Sequence, residues 1–269
     1  MKEFKTYHIL VQRLRHFFLE REFVEIPVQS NLSILAACED PRTVTPFVFN
    51  GQSWPLPQTG QMHLERVLLE NQDLKGVYCI STSYRNEPQP IEGRHDLIFP
   101  MFEFESFGDV DDLIKLEKDL LTHLCILGND QLFYTLLYNG VANRYGVIEL
   151  EPEHEELMCK DYAPVVFLTE FPETSHPFWN MKRNDDGTAR KVDVIINGME
   201  TIGSAERETD PIIMRDRFHS ISDGEYAGLL YSKFGKERVD KELDDFLSLS
   251  MVPRFGGGIG LTRLAKVIV

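Results

Sequence analysis

The chain has 269 residues, 42% of them hydrophobic, enough to bury a full core within one domain. Its formal net charge of -15 opposes tight, non-specific attachment to a polyanion unless basic groups are concentrated somewhere. No stretch reaches a membrane-spanning length and the N-terminus is interrupted by charge throughout, while Cys38, Cys79, Cys125 and Cys159 stand far apart without a Cys-x-x-Cys pair; a cytoplasmic protein with reduced thiols, no zinc site and no disulfide framework is expected.

The chain opens on an amphipathic helix, in which Phe4, Leu10, Leu14, Phe17 and Phe18 recur at helical spacing with Lys5, Arg13, Arg15 and Glu20 between them. Residues 32–50 read as loop, with Asp40-Pro41, Thr45-Pro46 and Asn50-Gly51 as turn signals. The segment Leu56-Pro-Gln-Thr-Gly-Gln-Met-His-Leu-Glu65 leads into a predicted helix from Met62 to Leu69.

The most informative stretch is Val77 to Phe107. Val77 to Thr82 is rich in β-branched and aromatic residues, and Phe99 to Phe107 alternates Phe102 and Phe104 with Glu103 and Glu105, which predicts two strands, the second with one apolar and one acidic face. The loop between them carries Arg85, Glu87, Arg94 and His95, with Phe99 where the chain returns. Guanidinium forks match phosphate oxygens, an aromatic can stack on a base, and carboxylates can carry magnesium or a substrate ammonium, so the hairpin can hold a polyphosphate.

Farther on, Val110 to Leu127 is predicted as a second amphipathic helix and the acidic run Glu149 to Glu156 as a solvated face. Pro164 to Leu168 and Pro177 to Met181 read as strands, and Asn184 to Gly187 as a hairpin turn. Asp193 and Glu200 stand seven apart across a strand and the Asn197-Gly198 turn, with Arg207 seven residues beyond.

The hairpin resembles motif 2 of class II aminoacyl-tRNA synthetases, with Arg85 and Glu87 as its Arg-x-Glu and Arg94, His95 and Phe99 as the returning half. Val252-Pro-Arg-Phe-Gly-Gly-Gly-Ile-Gly-Leu-Thr-Arg-Leu264 is similar to motif 3, and Arg15 to Pro27 to motif 1. Leu64, where the aspartate branch carries lysine, points to the asparagine side of the aspartyl/asparaginyl branch. The resemblance implies an α+β fold, an antiparallel sheet flanked by helices, in one catalytic domain spanning 1–269 and paired as a homodimer through the motif 1 helix, whose apolar face around Leu14 and Phe18 is expected to be partly exposed.

It also implies ATP and Mg²⁺, with Arg85, Glu87, Arg94, His95, Phe99 and Arg263 as ATP-binding residues and Asp193 and Glu200 as metal ligands. Arg85 and Arg263 would be the catalytic pair, stabilising charge rather than forming bonds. Thr59, Gln61, Glu103, Arg207 and Arg254 would bind the amino acid. Arg254 replaces a common histidine; pointing inward, it would add a second positive fork and favour aspartate over asparagine, the orientation expected here. The sequence begins almost at motif 1 and ends soon after motif 3, so a stand-alone ligase that binds tRNA weakly is expected. The leading case is asparagine synthesis from aspartate and ammonia. A tRNA-ligase fragment or subunit, transfer to a protein or metabolite, and a regulator that only senses ATP or an amino acid stay open.

Overall fold

The computed structural model describes residues 2–28, 32–35, 40–90, 96–127, 133–175 and 177–267. Ten strands lie among them: β1 (Val24–Glu25), β2 (Pro46–Phe49), β3 (Gln52–Pro55), β4 (Gly76–Tyr84), β5 (Ile98–Phe107), β6 (Phe133–Leu137), β7 (Val165–Phe171), β8 (Ala189–Ile196), β9 (Met199–Glu206) and β10 (Arg254–Gly260). The helices are α1 (Lys2–Leu19), α2 (Gln61–Glu70), α3 (Val110–His123), α4 (Tyr138–Tyr145), α5 (Pro152–Asp161), α6 (Pro211–Ser220), α7 (Glu225–Phe234), α8 (Lys236–Leu247) and α9 (Leu261–Val267).

Eight strands form one sheet in the order β1-β4-β5-β10-β9-β8-β7-β6, and β2 with β3 forms a separate hairpin. The six central strands pair antiparallel, while β1 and β6 join the edges in parallel. This is the antiparallel, helix-flanked α+β sheet expected from the sequence.

Strand alternation sorts the side chains onto two faces. Phe102, Phe104, Val192, Val194, Ile202, Phe255 and Ile259 turn to one side, where α1, α3 and α9 cover them. At its centre Phe18 lies 5.0–5.6 Å, ring centroid to ring centroid, from Phe23, Tyr78, Phe102 and Phe104. Phe18→Ala is therefore expected to destabilise the fold by about 3–5 kcal/mol, read as a lower urea midpoint at unchanged slope. A second core, around Trp179, gathers α4, α6, α7 and α8 beside the opposite face.

Several expectations need correction. Leu14 and Phe18 are fully buried within the protomer; the apolar groups that α1 and its exit leave exposed are Phe4, Ile9, Leu19 and Val24. Pro177 to Met181 forms no strand; the segment is pinned by side chains instead: the Trp179 indole N–H donates to the Leu35 carbonyl at 3.1 Å, and Met181 makes an isolated bridge to Arg207. The helix after the hairpin stops at His123, as Cys125 takes a positive φ of 60°. The acidic run leads into α5, and its Glu155 accepts a hydrogen bond from the Glu200 amide at 2.7 Å, so that carboxylate braces β9 instead of only facing solvent. Among the described residues no helix is long and apolar enough to cross a membrane. Cys79, Cys125 and Cys159 are free thiols; Cys38 lies outside the described residues.

Candidate active site

The sheet face opposite α1 is built from two rows of residues that run across the strands. Pairing sets Glu103 on β5 beside Gly258 on β10, Gly203 on β9 and Asp193 on β8. The next row is Glu105, Gly256, Ala205 and Lys191. Acidic groups thus flank a floor of bare backbone. The alternation of phenylalanine and glutamate in β5 does sort into two faces, and the acidic one is interior: Glu103 and Glu105 are fully buried.

Above this floor lies a cavity of about 350 Å³. Seven residues singled out from the sequence line it: Gln61, Arg85, Glu87, Phe99, Glu200, Arg207 and Arg263. The Arg85 amide donates to the Leu97 carbonyl at 2.8 Å, closing the base of the hairpin loop. Its guanidinium lies 5.3 Å from the Phe99 ring centroid, and its Nε is buried without a hydrogen-bond partner among the described residues. A guanidinium with a donor to spare can hold an anion. Arg94 and His95 lie outside the described residues. Arg263, early in α9, donates from Nη1 to the Glu200 carbonyl at 3.1 Å and stands 3.6 Å from its carboxylate.

Asp193 is not on the cavity wall, yet it meets Glu200 behind it. A Cβ built on Gly203 would lie 3.1 Å from Glu200 Oε1 and 3.5 Å from Asp193 Oδ1, so the missing side chain leaves two carboxylate oxygens around an open spot. Asp193 Oδ1 is buried without a partner, while Oδ2 accepts from Lys191 Nζ at 2.7 Å. Burial pushes the Asp193 acid well above the usual carboxylate range, Lys191 pulls it down and the Glu200 charge pushes it up again. Two carboxylate oxygens facing one gap fit a hard divalent cation.

Three of the proposed amino-acid contacts are placed differently by the structure. Glu103 is engaged within the protein: it accepts from the Thr59 hydroxyl, the Gly60 amide and the Ser81 hydroxyl. Thr59 also accepts from the Gln61 amide at 3.0 Å. Neither residue lines the cavity; together they fix the turn that presents Gln61 at the start of α2. Arg254 does point inward, but it is spent on Glu65, donating to Oε2 from Nε at 3.1 Å and from Nη2 at 2.8 Å. It brings no second positive fork to the cavity, and the ground for an aspartate preference falls.

Lys191, Glu65, Asp96, Met101 and Phe178 were missed. Lys191 was legible, since two residues before Asp193 on a strand is the same face. Glu65 was not, because its partners Arg254 and Asn180 are more than 100 positions away along the chain.

Behind the sheet, Glu117 of α3 is fully buried and accepts from the Ser204 hydroxyl at 2.7 Å. Burial raises it from 4.5 to about 8, with Ser204 pulling down and Asp193 pushing up. A raised folded-state value means that its contribution is intact below the unfolded value and is lost as pH rises through about 8. Glu117→Gln is expected to keep the Ser204 bond and escape that loss. The variant should match the parent in urea unfolding at pH 5 and exceed it above pH 8.

A family model for class II tRNA synthetases (D, K and N) matches residues 1–269. The chain belongs to that family. It is 23% identical to a lysine–tRNA ligase of Clostridium kluyveri over 95% of this chain and 59% of that protein, and 22% identical to one of Porphyromonas gingivalis over 95% of this chain and 50% of that one. The chain thus spans about half to six-tenths of these relatives. Among solved structures, asparaginyl-tRNA synthetase from Pyrococcus horikoshii, complexed with asparaginyl-adenylate, superposes with a TM-score of 0.79 at 19% identity, covering 99% of this chain and 64% of that one. A putative aspartyl-tRNA synthetase from Leishmania major gives 0.77 at 15% identity, covering 99% and 62%.

Proposed function

We propose that the chain is an AMP-forming ligase that activates asparagine or aspartate as its acyl adenylate. One observation carries this reading: a single cavity holds an anion-binding arginine beside an aromatic, Arg85 with Phe99, together with Arg263, and on the same wall Gln61 and Arg207. The amino acid's carboxylate attacks the α-phosphorus of ATP in line and pyrophosphate leaves. Arg85 holds the α-phosphate and the attacking carboxylate, Phe99 the adenine, and Arg263, with Arg94 and His95, the outgoing phosphates. This is positioning and electrostatics, with no covalent step by the protein. Asp193 and Glu200 would hold magnesium, which neutralises charge on the phosphates.

The sequence relatives include lysine–tRNA ligases, while the solved structures include asparaginyl and aspartyl enzymes. Arg207 favours the latter, because a lysine ammonium carried to that wall would meet a guanidinium. A homodimer through α1 is part of the reading, now resting on the exposed Phe4, Ile9 and Leu19.

The test is ATP–pyrophosphate exchange with each of the twenty amino acids, with ammonia or tRNA then added. Exchange is expected with asparagine or aspartate, and its absence with both would sink the proposal. Asparagine formed from aspartate and ammonia would mark the synthetase outcome. At a net charge of -15, weak tRNA binding at physiological salt is expected.

A further inference from the structure

We propose that Glu65 and Arg254 set the choice between an amide and a carboxylate side chain: they complete a buried, charge-balanced cage around Arg207 that admits asparagine and turns away aspartate. The inference rests on the reading of the cavity as an amino-acid-activating site.

Glu65, Glu105, Arg207 and Arg254 are all fully buried. Glu65 faces both guanidiniums: Oε2 takes two hydrogen bonds from Arg254, while Oε1 accepts from Asn180 Nδ2 at 2.7 Å and lies 3.5 Å from Arg207 Nε. The remaining Arg254 nitrogen, Nη1, donates to the carbonyls of Val252 and Glu208, both at 3.3 Å. On the other side Arg207 Nη2 donates to Glu105 Oε1 and, at 2.9 Å, to Gln61 Oε1. Two cations and two anions cancel. Arg207 is the member that reaches the cavity wall, so it presents hydrogen-bond donors there without net charge behind them.

A substrate carboxylate placed against Arg207 would set three anions against two cations away from water, which is costly unless a proton is taken up. An amide adds no charge. The polar atoms around Arg207 point the same way. Among the described residues Gln61 Nε2, a donor, and Glu105 Oε2, an acceptor, are buried without partners, and the other terminal atom of each is bonded to the same Arg207 nitrogen. An amide offers one acceptor and one donor group; a carboxylate offers acceptors alone and would set an oxygen against Glu105.

The test compares kcat/KM for asparagine and aspartate in ATP–pyrophosphate exchange. Wild type is expected to favour asparagine. Glu65→Gln leaves the cage with one net positive charge and should lower the asparagine-to-aspartate ratio at least about tenfold, and adding Arg254→Met, which restores neutrality, should return it. A merely structural role for the pair would not reverse in this way.

Since Glu65→Gln strands a buried guanidinium and can fail to fold, a second measurement uses the wild-type chain. Each amino acid is titrated calorimetrically near pH 7.5 in buffers of different ionisation enthalpy. Aspartate is expected to bind with uptake of about one proton and asparagine with none. The proton goes to Glu105, which Arg207, Arg254 and Glu65 surround and whose acid burial already holds above the usual carboxylate range. Wild-type preference for aspartate, aspartate binding without proton uptake, or an unchanged ratio in a folded Glu65→Gln variant each overturns the cage. Exchange with neither amino acid defeats the reading beneath it.

Discussion

Arg207→Ala is expected to abolish amino-acid-dependent ATP–pyrophosphate exchange and to weaken the fold at the same time. Loss of one charged contact that is made as charge develops costs about two to three decades in rate. Here the same truncation removes the cation between two buried carboxylates, Glu65 at 3.5 Å and Glu105, which accepts from its Nη2. Breaking a buried pair by deleting one partner typically costs about 3–5 kcal/mol, because the other charge stays behind in the dry interior. The penalty has a pH signature. Glu105 can shed its charge by binding a proton, and burial already holds it well above the ordinary carboxylate value. With Arg207 gone its affinity for the proton rises further, so the stability deficit of the variant should be largest above pH 7 and shrink towards pH 5. Urea unfolding at the two pH values checks the sign; an equal deficit at both would mean that Glu105 is not the stranded group. Arg207→Lys should recover part of the stability but little of the activity, since an ammonium keeps the charge and loses the fork.

What could be read in advance divides along a physical line. The hairpin of β4 and β5, the glycine-rich β10 and the amphipathic α1 and α3 declare themselves through periodicity, which is a local property of the chain. The cavity residues Arg85, Phe99, Glu200, Arg207 and Arg263 sit in short motifs, so they too were legible. The errors concern what each side chain touches. Arg254 faces inward as expected, yet the sequence gives no sign that Glu65, 189 positions earlier, is waiting for both of its forward nitrogens. Glu103 carries the right chemistry for an ammonium, but it lies off the cavity wall and accepts from Thr59, Gly60 and Ser81. Leu14 and Phe18 looked like an interface because an amphipathic stripe does not say whether its partner is the same chain or a second copy. In each case the missing fact is a long-range pairing, which tertiary packing fixes and local pattern does not.

Gly256→Ala is expected to be the most damaging glycine-to-alanine exchange among the described residues. A Cβ at this position would lie 2.0 Å from both Cδ and Oε1 of Glu105 and 2.3 Å from its Oε2. Neither side has room to yield. β10 is held between β5 and β9 by ladders on both edges, so its backbone cannot retreat. Glu105 is fully buried and bonded to Arg207, so its carboxylate can move only by leaving the guanidinium. Overpacking alone costs about 1–3 kcal/mol, and the broken pair adds to it. Gly228, in the middle of α7, is the control: a Cβ there meets nothing within 4 Å, and Gly228→Ala should stabilise the chain by about 0.5–1 kcal/mol through helix propensity. The activity of the Gly256 variant separates two roles of the floor. Glu105 and Gly256 share a row with Lys191, whereas Arg85 and Phe99 stand on the hairpin beyond it. If that row serves the amino acid alone, the folded fraction of the variant should still bind ATP while its KM for the amino acid rises steeply. Equal loss of ATP binding would show instead that displacing Glu105 collapses the whole cavity.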